Sequence, residues 1–180
     1  MTRREINVFK QADLILGSLE RGVLLTTKAG DKVNSMSISW GTLGIEWGKP
    51  IFTVFVRKGR FTAQQLAANP EFTVNIPVGD IDKNIISYCG SRTGCEIDKL
   101  ADLGLTKVPC LTVDVPAVAE LPLTLECKVI YSRLQDCALL PKKLHDSCYP
   151  QDIPGTNPGS NRDYHIAFCS EIVKAYIIEK

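Results

Sequence analysis

The sequence predicts a mainly β protein, a β-barrel with peripheral helices in the α+β class, formed as one domain over residues 1–180. Three observations predict it. Short apolar or alternating runs recur along the chain, separated by turns rich in Gly, Pro and Asn. Capped helical segments fall between those runs, and the C-terminal half returns to strands. A chain of 180 residues can bury a single core without disulfide or metal staples.

Residues 9–19 read as a short helix or an irregular lead-in, with Gly17 weakening the helix. Residues 22–28 (GVLLTTK) favour a strand, 29–32 a turn and 33–40 a second strand, so the pair reads as a hairpin. In that second strand Val33, Ser35, Ser37 and Ser39 alternate with Asn34, Met36, Ile38 and Trp40. The serine face is either a solvent face or a wall against which a ligand lies. A turn carrying Gly48 and Pro50 leads to an apolar strand over 51–56. Residues 62–69 read as a helix: Thr62 and Gln65 have capping-box spacing, and Asn69-Pro70 is the stop.

A strand follows over 72–76. Asp80 can cap a helix over 81–89 closed by Gly90, with Ile81, Ile85 and Tyr88 on its apolar face. Thr93 and Glu96 form a second capping box, for a helix that ends near Leu103 with Gly104 beyond it. Residues 115–120 read as a short strand made irregular by Pro116. Over 123–132, Leu123, Leu125, Cys127, Val129 and Tyr131 share one face, and Thr124, Glu126 and Lys128 the other. Residues 137–140 read as another strand. Residues 141–163 hold four prolines and two glycines without periodicity, a long loop that covers a pocket or reaches a partner. Residues 164–178 close the chain as one or two apolar strands.

Composition removes several function classes. A net charge of +1, from 21 basic and 20 acidic residues, provides no broad field for nucleic acid or an anionic membrane. No apolar run reaches membrane-spanning length, and the N-terminus carries no hydrophobic signal region. Seven cysteines without a C-x-x-C or a glycosylation sequon read as a cytoplasmic protein with reduced thiols and no zinc site. His145 and Cys148 stand three apart but lack further ligands. Neither G-x-x-x-x-G-K-[ST] nor G-x-G-x-x-G occurs, so neither an ATPase loop nor a dinucleotide fold of the usual type is indicated.

The sharpest constellation is Arg57, Lys58, Arg60 and Thr62, where a strand ends and a helix begins. A helix N-terminus offers unpaired N–H groups and a partial positive charge, and arginines add charge-assisted hydrogen bonds. Together they suit a phosphate; the alternative is a solvated basic turn with an ordinary cap. Residues 89–95 (CGSRTGC) form a second small polar loop, whose Arg92 can reach a ligand and whose Cys89 and Cys95 are a candidate redox pair. His145 and His165 are candidate proton donors or haem ligands, or satisfied histidines without a reaction.

Residues 34–41 (NSMSISWG), 48–50 (GKP), 56–62 (VRKGRFT), 71–77 (EFTVNIP), Asp98-Lys99, and His165 ahead of Glu171-Ile172-Val173 occur in the order found in one family. On these motifs the chain resembles the flavin reductase-like proteins with the FMN-binding split-barrel fold. The resemblance covers nearly the whole chain, and Ser170 departs from the Gly of many relatives. It implies noncovalent FMN at or near a homodimer interface. Asn34, Met36, Ser37, Ile38, Ser39, Trp40 and Gly41 would line the ring. Arg57, Lys58, Arg60 and Thr62 would hold the phosphate with Ser91 and Arg92 nearby, and His165 would sit on the substrate or nicotinamide side, as the catalytic candidate. The implied activity passes electrons from NADH, NADPH or a reduced protein through the flavin to a free flavin, a partner monooxygenase or another acceptor. The alternative is a non-catalytic flavin carrier or sensor.

Overall fold

The computed structural model describes residues 1–153 and 161–179. Among the described residues ten strands appear: β1 (Thr2–Glu5), β2 (Val23–Ala29), β3 (Lys32–Ile38), β4 (Gly41–Glu46), β5 (Lys49–Arg57), β6 (Glu71–Ile76), β7 (Lys107–Val108), β8 (Ala117–Val118), β9 (Leu123–Leu134) and β10 (His165–Glu179). The helices are α1 (Ala12–Leu19), α2 (Phe61–Ala68), α3 (Lys83–Ser91), α4 (Lys99–Asp102) and α5 (Lys142–Cys148). The main sheet runs β3-β2-β6-β9-β10-β5-β4, antiparallel throughout, and β1 pairs with the far end of β10.

The sheet curls on itself. Leu25, Phe52, Val54, Phe72, Val74, Leu125, Phe168 and Ile172 come from five strands spread along the sheet, yet share one buried cluster. Fully burying side chains of this size contributes about 1.5–3 kcal/mol each. Leu24, the next residue to Leu25 and therefore on the other face of β2, packs with Ile85, Cys89 and Leu100 of α3 and α4. Covering both faces explains why β2 reads as a continuous apolar run rather than an alternation.

The two hairpins have turns their residues dictate. Gly30 (φ 55°) opens the turn of β2–β3. Trp47 and Gly48 join β4 to β5 with φ of 52° and 69°, the double left-handed pattern of a type I′ turn. Strand β4 itself was not expected, because Gly41 and Gly44 interrupt its pattern. The long strand β10 bends at two register shifts, one at Cys169/Ser170 and one between Ile172 and Lys174. Ser170 is buried and its hydroxyl donates to Phe168 O at 3.3 Å.

Several expectations are corrected. Residues 137–140 form a single 3-10 turn (Cys137–Leu139), not a strand, with Asp136 accepting from Ala138 N. Within the loop expected over 141–163, residues 142–148 form α5, none of them buried and so without an apolar period, while residues 154–160 lie outside the described residues. Gln65 does not close a capping box. It is buried, accepts from Thr27 Oγ1 at 2.7 Å and donates to Lys32 O at 2.7 Å, so it ties α2 to the β2–β3 hairpin. α3 starts at Lys83, capped by Asp82 rather than Asp80. The helix expected after Thr93 is reduced to α4, capped by Asp98, whose carboxylate accepts from Leu100 N and Ala101 N. On β9, Thr124 and Glu126 are as buried as their apolar neighbours; Glu126 accepts from Leu111 N, Thr112 N and Thr112 Oγ1. Tyr131 is exposed.

Candidate functional site: a cationic cradle between β3, α2 and the loop after α3

Three elements converge at the start of α2. Asn34 and Met36 lie on β3, Arg60 to Thr62 begin α2, and residues 89–94 close over them with Lys99 behind. They enclose a cavity of about 470 Å³. Arg60, Arg92 and Lys99 line it, and among the described residues the carboxylate at its edge is Asp163, which accepts from Gly59 N at 2.7 Å. No side chain caps α2; Ala63 N bonds to Arg60 O, and Phe61 N and Thr62 N have no partner among the described residues. The arrangement fits an anion.

Its floor is tightly specified. Asn34 Nδ2 donates to Thr62 Oγ1 at 2.9 Å, while Oδ1 of the same buried amide has no partner. Gly94 rests directly on it: a β-carbon there would stand 1.9 Å from Asn34 Oδ1. A β-carbon on Gly90 would stand 2.3 Å from Ser37 Oγ. At Gly94 the facing amide is held by its bond to Thr62, so glycine is needed there, whereas Ser37 Oγ can turn away from Gly90. Lys99, 3% exposed, fixes the loop from behind by donating to Cys89 O (3.1 Å) and Arg92 O (3.2 Å). Burial pushes its pKa down.

A second cavity of about 210 Å³ adjoins the first and shares Met36, Arg60 and Gly90 with it. Ser37, Ile38, Ser39 and Trp40 form its β3 side, facing Phe55, Arg57 and His165. Trp40 is tilted against the His165 ring at 4.9 Å between centroids. Burial, and next the Arg57 cation, push the His165 pKa down to about 4, so the ring is neutral at neutral pH. His165 Nδ1 lies 2.7 Å from Tyr149 Oη, and that hydroxyl donates to Gln135 Oε1 at 2.9 Å. A third, more open hollow of about 440 Å³ lies beyond Trp40, bordered by Leu16, Glu20, Gly41 and Gln135.

The candidate residues thus divide. Asn34, Met36, Arg60, Thr62, Ser91 and Arg92 border the first cavity. Ser37, Ile38, Ser39, Trp40, Arg57 and His165 border the second, and Gly41 the third. Lys58 borders none and is exposed; its backbone N–H donates to Tyr164 O. Arg57 differs from the expected phosphate ligand. Its guanidinium is taken up by the carbonyls of Cys148, Asn161 and Asp163 at 2.7–3.0 Å and lies over the Tyr149 ring. Arg57 ends β5, and its side chain holds the segments around 148 and 161–163 against the sheet.

Sequence reasoning missed Lys99 and Tyr149 as site-forming residues. Lys99 carried a signal only in the Asp98-Lys99 motif, and Tyr149 carried none. Cys89 is buried and its thiol pKa is raised by burial, while Cys95 is exposed; all seven cysteines are free. That makes Cys89 a packing residue. His145 hydrogen-bonds Tyr164 Oη at 3.3 Å.

Comparison with known proteins agrees with this geometry. The model of the flavin reductase like domain matches residues 16–179. An uncharacterized protein of Pyrococcus abyssi is 28% identical over 109 residues, 61% of each chain, and one of Archaeoglobus fulgidus is 27% identical over 100 residues, 56% of this chain and 55% of its own. The chain thus spans under two thirds of the length of the curated relatives it matches. Among solved structures, an FMN-binding domain of a flavin reductases-like enzyme from Shewanella baltica superposes with a TM-score of 0.66 at 18% identity, covering 98% of this chain and 77% of that one. Flavoredoxin of Desulfovibrio vulgaris superposes with a TM-score of 0.63 at 25% identity, covering 88% and 69%. With a family match across nearly the whole sequence and a curled antiparallel sheet of the same architecture, the chain belongs to the flavin reductase-like domain family.

Proposed function

We propose that the two adjoining cavities hold FMN and that the protein is a flavin-dependent oxidoreductase. The observation that carries this reading is the cavity at the start of α2 lined by Arg60, Arg92 and Lys99, adjoining a smaller cavity walled by β3 and the residues after it. An FMN-binding domain and a flavoredoxin among the structural relatives support it. Arg60, Arg92, Thr62 and the first N–H groups of α2 would hold the phosphate. The β3 wall from Met36 to Trp40 would take the ring. When bound, the flavin supplies hydride and single-electron chemistry, and the chain supplies binding and orientation.

The protein's own residues do the rest. Lys99 keeps the loop of residues 89–94 closed on β3 and so fixes the Ser91 and Arg92 side of the cradle. Trp40 packs on His165 and separates the second cavity from the third hollow, where NADH, NADPH or another donor would approach. His165, neutral, adds no charge to the ring's surroundings. Electrons would pass to a free flavin, a partner monooxygenase or a small acceptor.

We further propose a homodimer. Ile45, Trp47, Ile130, Tyr131 and Leu134 are exposed on β4, its turn and β9, and Trp47 meets Tyr131 edge-on at 6.1 Å. A second copy would cover this apolar surface.

The test is a titration of the purified protein with FMN and riboflavin, followed by anaerobic mixing with NADH or NADPH. Yellow protein that prefers FMN and bleaches with turnover is the expected result. Binding without bleaching by any donor makes the protein a flavin carrier, and no uptake of FMN rejects the reading. Light scattering that shows a stable monomer with full FMN affinity rejects the dimer.

A further inference from the structure

We propose that Tyr149 is a positioning residue that holds His165 in one tautomer, protonated on Nδ1, so that Nε2 presents a hydrogen-bond acceptor to the second cavity and selects a ligand group that donates there.

The argument is one of direction. Gln135 turns its carbonyl oxygen, Oε1, toward Tyr149 Oη at 2.9 Å, and a carbonyl only accepts, so the phenol proton points to Gln135. The same phenol oxygen lies 2.7 Å from His165 Nδ1. Having spent its proton, it receives one, and Nδ1 must carry it. A neutral imidazole holds a single N–H, so Nε2 is bare. Tyr149 is 4% exposed and Arg57 lies over its ring, so the phenol at the centre of the relay is shielded from water.

Nε2 has no protein partner among the described residues. It also retains access to open space, because the only buried side-chain nitrogen or oxygen atoms left unpaired among those residues are Arg3 Nε and Asn34 Oδ1. The open space His165 borders is the 210 Å³ cavity. A ligand carbonyl facing that nitrogen would meet lone pair against lone pair, whereas an N–H or O–H would form a hydrogen bond. Resting on the flavin reading above, this would set the one N–H of the oxidised ring, which lies between its two carbonyls, toward His165 Nε2.

The relay is built from Gln135, which follows β9, and Tyr149, which follows α5. Both lie outside the motifs on which the family resemblance was drawn. The donor-selecting edge of the cavity is therefore set by the segments that follow β9 and α5 rather than by β3.

The experiment is nitrogen-15 NMR of the histidine rings, read first on the free protein at pH 7 and then with FMN added. His165→Gln identifies the resonances by their loss. The expected spectrum has His165 protonated on Nδ1 alone. Tyr149→Phe should release it to a mixture of tautomers, and Gln135→Leu should turn the Tyr149 proton toward Nδ1 and move the ring proton to Nε2. Backbone amide spectra of both variants check that they are folded. With FMN, the Nε2 resonance should shift toward the hydrogen-bonded range in wild type. A ring protonated on Nε2 in the free wild type, or a tautomer unmoved by both variants, overturns the proposal. So does FMN uptake, seen by absorbance, that leaves Nε2 unshifted. FMN that fails to bind rejects the flavin reading instead, while the tautomer is already decided by the free protein.

Discussion

The Asn34 amide and the Thr62 hydroxyl join β3 to the first turn of α2 through one buried 2.9 Å hydrogen bond, and the amide's oxygen is left unpaired beneath Gly94. Thr62→Val keeps the shape but strands Nδ2 as well. The buried amide then has no partner at either end. The expected loss is about 1–3 kcal/mol of stability, read from the urea midpoint. FMN affinity should fall further than riboflavin affinity, because the hydroxyl sits at the anion end of the cradle.

Arg57 and Arg60 should behave oppositely although three residues apart. The Arg60 guanidinium borders both cavities and has no protein acceptor among the described residues. Arg60→Gln should leave the melting curve in place and cost FMN about 1.5–3 kcal/mol, one to two decades, with riboflavin unchanged. Arg57→Gln removes three bonds to the carbonyls of 148, 161 and 163. It should lower stability by about 3 kcal/mol and expose residues 141–153 to proteolysis, with FMN and riboflavin weakened alike. Equal losses of FMN preference in both variants would contradict this division.

A double-mutant cycle tests the pressed loop. Gly94→Ala puts a methyl group 1.9 Å from Asn34 Oδ1 and 2.6 Å from Cγ, atoms held by the Thr62 bond. Overpacking of this kind costs about 1–3 kcal/mol. In an Asn34→Ala background the nearest atom left is the β-carbon at 3.2 Å. The penalty of Gly94→Ala should therefore shrink by more than half there, giving a coupling energy well above that of independent sites.

His165 links stability to pH with a definite sign. Its pKa is 6.5 when free and about 4 in the folded chain. The unfolded state therefore takes the proton first. The contribution of the neutral ring is complete above pH 6.5, falls as the pH drops toward 4 and then levels off. The span corresponds to about 3 kcal/mol. Urea unfolding of wild type against His165→Gln at pH 7.5 and pH 4.5 isolates it. The variant should lose less stability over that interval.

What the sequence made legible follows from which signals are local. The β2–β3 hairpin, β5, α2, β6 and β9 announce themselves by runs, alternation and turn residues, so they could be placed in advance, while the pattern of the β3 serines left both a solvent face and a ligand wall open. The basic turn at 57–62 was legible as a cluster but not as a division of labour. Only the fold shows that Arg57 turns to carbonyls from 148 and 161–163 while Arg60 turns to the cavities. Lys99 looks like any solvent-facing helical lysine until the loop of residues 89–94 is seen lying across it. Tyr149 lies in a stretch whose one helix buries nothing and so has no period to detect. Glu126 falls on the face opposite the apolar one, and the segment at 111–112 that covers it lies 14 to 15 residues upstream, beyond the reach of a local pattern.

Strand β10 is hydrogen-bonded to β1, β5 and β9, and in the sheet it is what joins β5 to β9. A chain emerging from the ribosome as far as residue 164 therefore holds two separate fragments, β3-β2-β6-β9 on one side and the β4–β5 hairpin on the other. Every partner of β10 on β5 lies more than a hundred residues upstream. Contacts of such long range close slowly and late. Until they do, β5 and β9 each present an unpaired edge, the state in which β-rich chains associate wrongly. Synthesis rate and chaperone supply while the fifteen residues of β10 emerge should thus govern the yield of native protein more than any earlier stretch of the chain.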